Sequence, residues 1–151
     1  MAAIDTAMYS VHLLVAGVWA GSVVFVTYAV LPTAREGLAN AEPLEPVVGK
    51  LRWLSRTSAL VLLATGGHMA GTLYTVERLT GSTRGHLVLG MVGLWLALAG
   101  LVEVGSARLA DGFGQKKVRE PAREARPFFL GATTVAVALL VVGGLLSTGV
   151  V

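Results

Sequence analysis

Three histidines, His12, His68 and His86, are the residues of this 151-residue chain best suited to hold a cofactor or a metal. Neutral imidazole is the commonest protein ligand for metal ions and also holds haem iron. Two histidines on facing helices at similar height can ligate a b-type haem, and helical bundles build cofactor sites in this way. Thr65, Thr72 and Thr75 share a helical face with His68, and Gly71 lies one turn away. That polar stripe suits either a ligand site or a plainer His–Thr network between helices. Copper is the alternative ligand. Met8 precedes His12 by one turn, Met69 follows His68 and Met91 follows His86, and thioether with imidazole suits copper. The chain has no cysteine, which excludes disulfides, thiolate metal sites and cysteine nucleophiles. No Ser-His-Asp set, phosphate loop or nucleotide fingerprint occurs, so the sequence points to no catalytic residues.

The elements that must position these side chains follow from the charge map. Of the residues, 54% are hydrophobic and only 14% charged, against roughly a quarter charged in a soluble domain. No Asp, Glu, Lys or Arg occurs in 6–34, 57–76, 85–102 or 127–151. Crossing a hydrocarbon core takes about 20 apolar residues in a helix. The sequence therefore predicts an all-α, integral membrane four-helix bundle forming a single transmembrane domain. Its spans lie at about 8–31, 57–76, 85–107 and 127–148. Pro32 is expected to help end the first span, and Pro127 to occupy the first helical position of the fourth. Val47, Val48, Leu51 and Leu54 recur at helical spacing beside Lys50, Arg52 and Arg56, which predicts a short interfacial helix at about 46–56 with Trp53 near the headgroups. A membrane barrel is a poor alternative, because no ten-residue blocks of alternating polarity occur.

Basic residues set the orientation. Ten of the twelve Lys and Arg fall between the first and second spans or between the third and fourth. Only Arg78 and Arg84 lie between the second and third. The positive-inside rule places the first and third connections in the cytoplasm and both termini outside, an N-out/C-out protein of the cell membrane. The first span lacks the basic leader of a signal peptide and should be retained. The pI near 9.7 thus reports orientation signals, and no nucleic-acid partner is expected. In this topology all three histidines fall in the outer half, and His12 and His86 match best in height. The inner parts of the first and third spans carry no His, Cys or Met, which favours one outer site over a path for translocation.

Three further features bear on packing. His12-Leu13-Leu14-Val15-Ala16-Gly17 resembles His86-Leu87-Val88-Leu89-Gly90, and Trp19 and Trp95 lie further down each span; two related hairpins would explain the match. Gly17 with Gly21, Gly67 with Gly71, and Gly90 with Gly93 form small faces. Such faces let helices approach closely, or leave room for a flat ligand. Glu103 is the one acidic residue within a predicted span, and a salt bridge to Arg52, Arg56 or Arg108 is expected.

The stretch from His12 to Gly21, His-Leu-Leu-Val-Ala-Gly-Val-Trp-Ala-Gly, resembles the first-span pattern of the copper-resistance protein D (CopD) family and of HemJ-type protoporphyrinogen oxidases. Thr65-Gly66-Gly67 is similar to the Thr-Gly of the CopD second span, and His86-Leu87 stands where these families often carry Lys-Leu. The resemblance implies a four-helix membrane core with haem binding or copper handling. The haem-linked first-span histidine of HemJ-type proteins carries over to His12. The Arg and His that follow the first span in those proteins have no counterpart in Tyr28-Ala29-Val30-Leu31-Pro32. The expected function is a membrane protein binding haem b through His12, His68 and His86, with an electron-transfer or redox role and a redox partner or second copy beside it. The alternatives are a copper-binding or copper-uptake protein using Met8, Met69 and Met91, and a cofactor-free accessory subunit of a membrane complex.

Overall fold

The computed structural model describes residues 3–148, and these are helical almost throughout, with no strand. The chain forms α1 (Ala3–Phe25), a π-helical turn (Val26–Val30), α2 (Leu31–Glu36), α3 (Ala41–Leu73), α4 (Val76–Gly81), α5 (Thr83–Gly114) and α6 (Arg119–Thr148). Three stretches, Ala3–Glu36, Thr83–Gly114 and Arg119–Thr148, are long and apolar enough to cross a membrane. They mark a membrane-embedded helical bundle. α3 is equally long but more polar, because Ser58, Thr65, His68 and Thr72 interrupt its apolar run.

The helices run past the limits that the prolines suggest. Pro32 does not end the first helix, which continues to Glu36 and stops at Gly37 in the left-handed conformation. A proline ring clashes with the carbonyl four residues earlier. Here that carbonyl belongs to Tyr28, inside the π-helical turn, whose wider winding accommodates the ring. Pro127 likewise lies inside α6, which starts eight residues earlier at Arg119. Pro121 occupies the first turn instead, where its missing N–H costs no helical bond. The amphipathic stretch expected as an interfacial helix at about 46–56 lies within α3: Val48 and Leu51 are buried, and Trp53 is exposed.

α1 packs on α3, α3 on α5, α5 on α6, and α6 back on α1. In this four-sided ring α1 and α5 stand on a diagonal. Cross-helix contacts fix the direction of each element. Asp5 meets His68, and Trp19 meets Ser55, so α1 and α3 are antiparallel. The Arg84 guanidinium donates to the Leu146 carbonyl (3.2 Å), and Gly105 lies against Phe129, so α5 and α6 are antiparallel too. The ring has a histidine end, carrying Asp5, His68, Arg84 and Leu146, and a basic end, carrying Arg35, Arg52, Arg119 and Arg126.

The core is confined to the basic end and the middle. Trp19, Val23, Leu31, Val48, Leu98, Val102, Leu109, Phe113 and Phe129 are buried there. The Thr27 hydroxyl donates to the Val23 carbonyl (2.8 Å) and meets the Thr133 hydroxyl at 2.8 Å, tying the π-helical turn to α6. Towards the histidine end, no described residue in 3–18, 66–84, 86–97 or 137–148 is buried. Hydrophobic side chains there, such as Val15, Ala16, Trp95 and Leu139, are only partly buried.

Candidate functional site

The α1–α3 seam carries a ladder of polar contacts. Asp5, His12 and Trp19 recur at seven-residue intervals, close to two helical turns, and so share one face of α1. Each meets a polar residue of α3. The Asp5 carboxylate lies 3.3 Å from Nε2 of His68, with both side chains about one-third exposed. Nδ1 of His12 lies 2.8 Å from the Thr65 hydroxyl. The buried Trp19 indole donates to the Ser55 hydroxyl at 3.0 Å.

The His12 contact has a direction. The single proton of the Thr65 hydroxyl is used at 2.8 Å on the Val61 carbonyl, the back-bond of a threonine inside a helix. With the proton there, the hydroxyl oxygen accepts from His12 in the tautomer that carries its proton on Nδ1. Nε2 keeps its lone pair and has no hydrogen-bond partner among the described residues. A metal-ligating histidine has this arrangement, with one ring nitrogen donating to a fixed acceptor and the other free for the ligand. Gly66 completes the setting: a Cβ there would come 3.2 Å from Cε1 of His12, tighter than an ordinary contact.

The other two histidines are differently engaged. His86 sits in the first turn of α5, where its Nε2 donates to the Thr80 carbonyl at 2.7 Å, so its contact is local to the α4–α5 connection. His68 spends its Nε2 on Asp5. Since α1 and α5 are diagonal, His12 and His86 do not lie on neighbouring helices. Among the described residues, no group of three or more His, Asp or Glu is arranged to hold a metal ion. Met8 is half-buried one turn from His12, and Met69 is half-buried beside His68. Met91 turns towards α6, its methyl 3.9 Å from where a Cβ on Gly143 would stand.

Other expectations fare unevenly. Of the three threonines, only Thr65 enters the seam; Thr72 bonds back to the His68 carbonyl, and Thr75 accepts from the Arg78 amide to cap α4. The two similar His…Trp segments are used differently: Trp19 donates to Ser55, whereas the buried Nε1 of Trp95 has no partner. The glycine pairs do not bring helices together. A Cβ at Gly17, Gly21, Gly67, Gly71, Gly90 or Gly93 would meet nothing within 4 Å. Gly17 and Gly21 instead line an open groove of about 720 Å³ with Val18, Lys50 and Trp53, and no histidine borders it. The close approaches fall elsewhere, at Gly105 on Phe129 and at Gly112 on Pro121.

Glu103 accepts from two arginines, Arg52 at 2.6 Å and Arg56 at 2.6 and 3.1 Å, which is the expected salt bridge between α3 and α5. Arg108 pairs with Glu124 instead and lies over the Phe128 ring. The sequence gives His68 no acidic partner by proximity, and the structure supplies Asp5. Its seven-residue spacing from His12 is the signal that marks it.

A search of protein families, curated proteins and solved structures finds no match to this chain. The functional assignment therefore rests on the geometry of the α1–α3 seam.

Proposed function

We propose that the chain is a four-span membrane protein of the CopD and HemJ type, with both termini outside, that binds haem b through His12 and serves electron transfer. The observation that carries this reading is the His12 imidazole, held by Nδ1 on Thr65 with Nε2 unclaimed. It supports axial ligation because the contact of Nδ1 with Thr65 fixes the ring orientation. The lack of buried side chains towards the histidine end supports it too, as do the open faces at Gly67, Gly71, Gly90 and Gly93, which leave room for a flat ring. In this reading α3 supplies the remaining span, its polar residues turned into the seam. A second histidine ligand would bind through Nδ1, because His68 and His86 each use Nε2, on Asp5 and on the Thr80 carbonyl. Bound haem would supply a one-electron couple near the outer surface, within reach of a redox partner.

The test is an optical spectrum of protein purified in detergent from cells supplied with ample haem, oxidised and then reduced with dithionite. The proposal expects a Soret band with sharp reduced α and β bands. A featureless spectrum overturns it, and stoichiometric copper in the same sample would move the assignment to the copper reading, with Met8 beside His12 as the first ligands to test.

A further inference from the structure

A small pocket at the basic end presents two arginines with no acid to meet them. It has a volume of about 100 Å³ and lies between the π-helical turn with α2 on one side and α6 on the other. Tyr28, Leu31, Pro32 and Arg35 form one wall, and Arg126 and Leu130 the other. Neither arginine has a hydrogen-bond or ion-pair partner among the described residues, and Nε of Arg35 is buried without one. The neighbouring arginines differ in having an acid, although Nε of Arg52 is also buried without a partner. Arg52 and Arg56 share Glu103, and Arg108 takes Glu124, the acid nearest Arg126 in sequence. A buried guanidinium nitrogen left unpaired is costly. With Nε of Arg35 on one wall and the exposed, unpaired Arg126 on the other, the space calls for an anion.

The charge map fixes the depth of this pocket. Arg35 is the first charge after the run 6–34, and Arg126 is the last before the run 127–151. Both mark the point where apolar helix meets the polar boundary. At that depth the abundant anion is the phosphate of a membrane lipid. The arginine fork matches phosphate oxygens in a planar, two-toothed fashion. The exposed Tyr28 hydroxyl adds a third donor at the rim.

We propose that this pocket binds the headgroup phosphate of an anionic phospholipid, held between Arg35 and Arg126. The site is separate from the haem reading. Twenty-three residues part His12 from Arg35, about 1.5 Å of rise each in a helix, so no single cofactor serves both.

The experiment uses delipidated full-length protein in neutral detergent, with short-chain phosphatidylglycerol, short-chain phosphatidylcholine and inorganic phosphate as probes. Native mass spectrometry and the melting temperature read the binding. Phosphatidylglycerol should bind and raise the Tm of the wild-type protein, while phosphatidylcholine should not. Arg35→Gln or Arg126→Gln should weaken that binding roughly tenfold, as expected for loss of a charged hydrogen bond. Lys116→Gln with Arg123→Gln, which removes two charges from exposed positions away from the pocket, should leave it unchanged. If the glutamine variants fail to fold, Arg126→Lys keeps the charge, loses the fork and should still bind more weakly than wild type. Equal binding of phosphatidylcholine, or undiminished binding in the arginine variants, overturns the proposal. An equal response to inorganic phosphate alone overturns the lipid assignment and leaves a free-phosphate site. The haem spectrum should be the same in all these variants, so either proposal can fail without the other.

Discussion

The two ends of the bundle are built on different principles. At the basic end, large side chains fill the space between helices, and Phe129, Trp19 and Leu109 are almost wholly enclosed. At the histidine end, the same helices carry exposed Leu13, Leu14, Leu89 and Leu145, and the described residues of α1 and α3 meet there through polar pairs. In a bilayer, exposed leucine carries no penalty, since lipid tails are as apolar as the side chain. Packing is therefore free to concentrate at one end. The difference teaches that this fold does not depend on the region where its histidines lie, and that region can be kept for a ligand.

The comparison breaks most readily at its strongest point. Phe129→Ala should lower unfolding stability in detergent by about 3 kcal/mol or more, because it empties space that no neighbour can refill. Leu14→Ala, at the other end, should change it by no more than about 0.5 kcal/mol. Similar losses at the two sites would show that the histidine end is as closely packed as the basic end.

Smaller probes sharpen the same contrast. Gly105→Ala sets a Cβ 2.9 Å from the Phe129 ring and should cost about 1–2 kcal/mol, whereas Gly93→Ala meets nothing and should be neutral or slightly stabilising. Thr65→Val keeps the shape of the seam but removes the acceptor that orients His12. It should weaken haem retention roughly tenfold, in the range of lost outer-shell partners, with little change in Tm; unchanged retention would detach Thr65 from the site. Glu103→Gln should give the smallest effect, a modest fall in Tm that shrinks in high salt, because its arginine partners are partly or largely exposed. A salt-independent loss would mean the triad acts through packing rather than charge.

Part of this architecture is legible in the sequence. The charge-free runs at 6–34 and 85–102, and the described part of 127–151, lie within the three long apolar helices, because a helix satisfies its own backbone hydrogen bonds in lipid. Glu103 and its two arginines follow from the scarcity of acids near that depth. The helix limits differ from those that Pro32 and Pro127 suggest, since proline blocks a helix only where the turn before it cannot widen or neighbouring helices cannot hold it. The partners of the histidines are legible only in part: a His–Thr network involving Thr65 is expected, but not that His12 is the histidine it meets. Register between helices is set by which large residues interlock, here Trp19 over Ser55 and Phe129 against Gly105, and no periodicity within one helix encodes it. The spacing of Asp5, His12 and Trp19 marks the shared face, but only the pairing with α3 shows which nitrogen of His12 stays free.

The central claim is that the free Nε2 of His12 ligates haem. The most direct measurement is the reduced spectrum and haem content of His12→Ala beside His86→Ala, each prepared with excess haem. The account predicts that His12→Ala loses the Soret, α and β bands while its helical content and Tm stay near wild type. Full haem retention in His12→Ala would contradict it, whatever the result at His86.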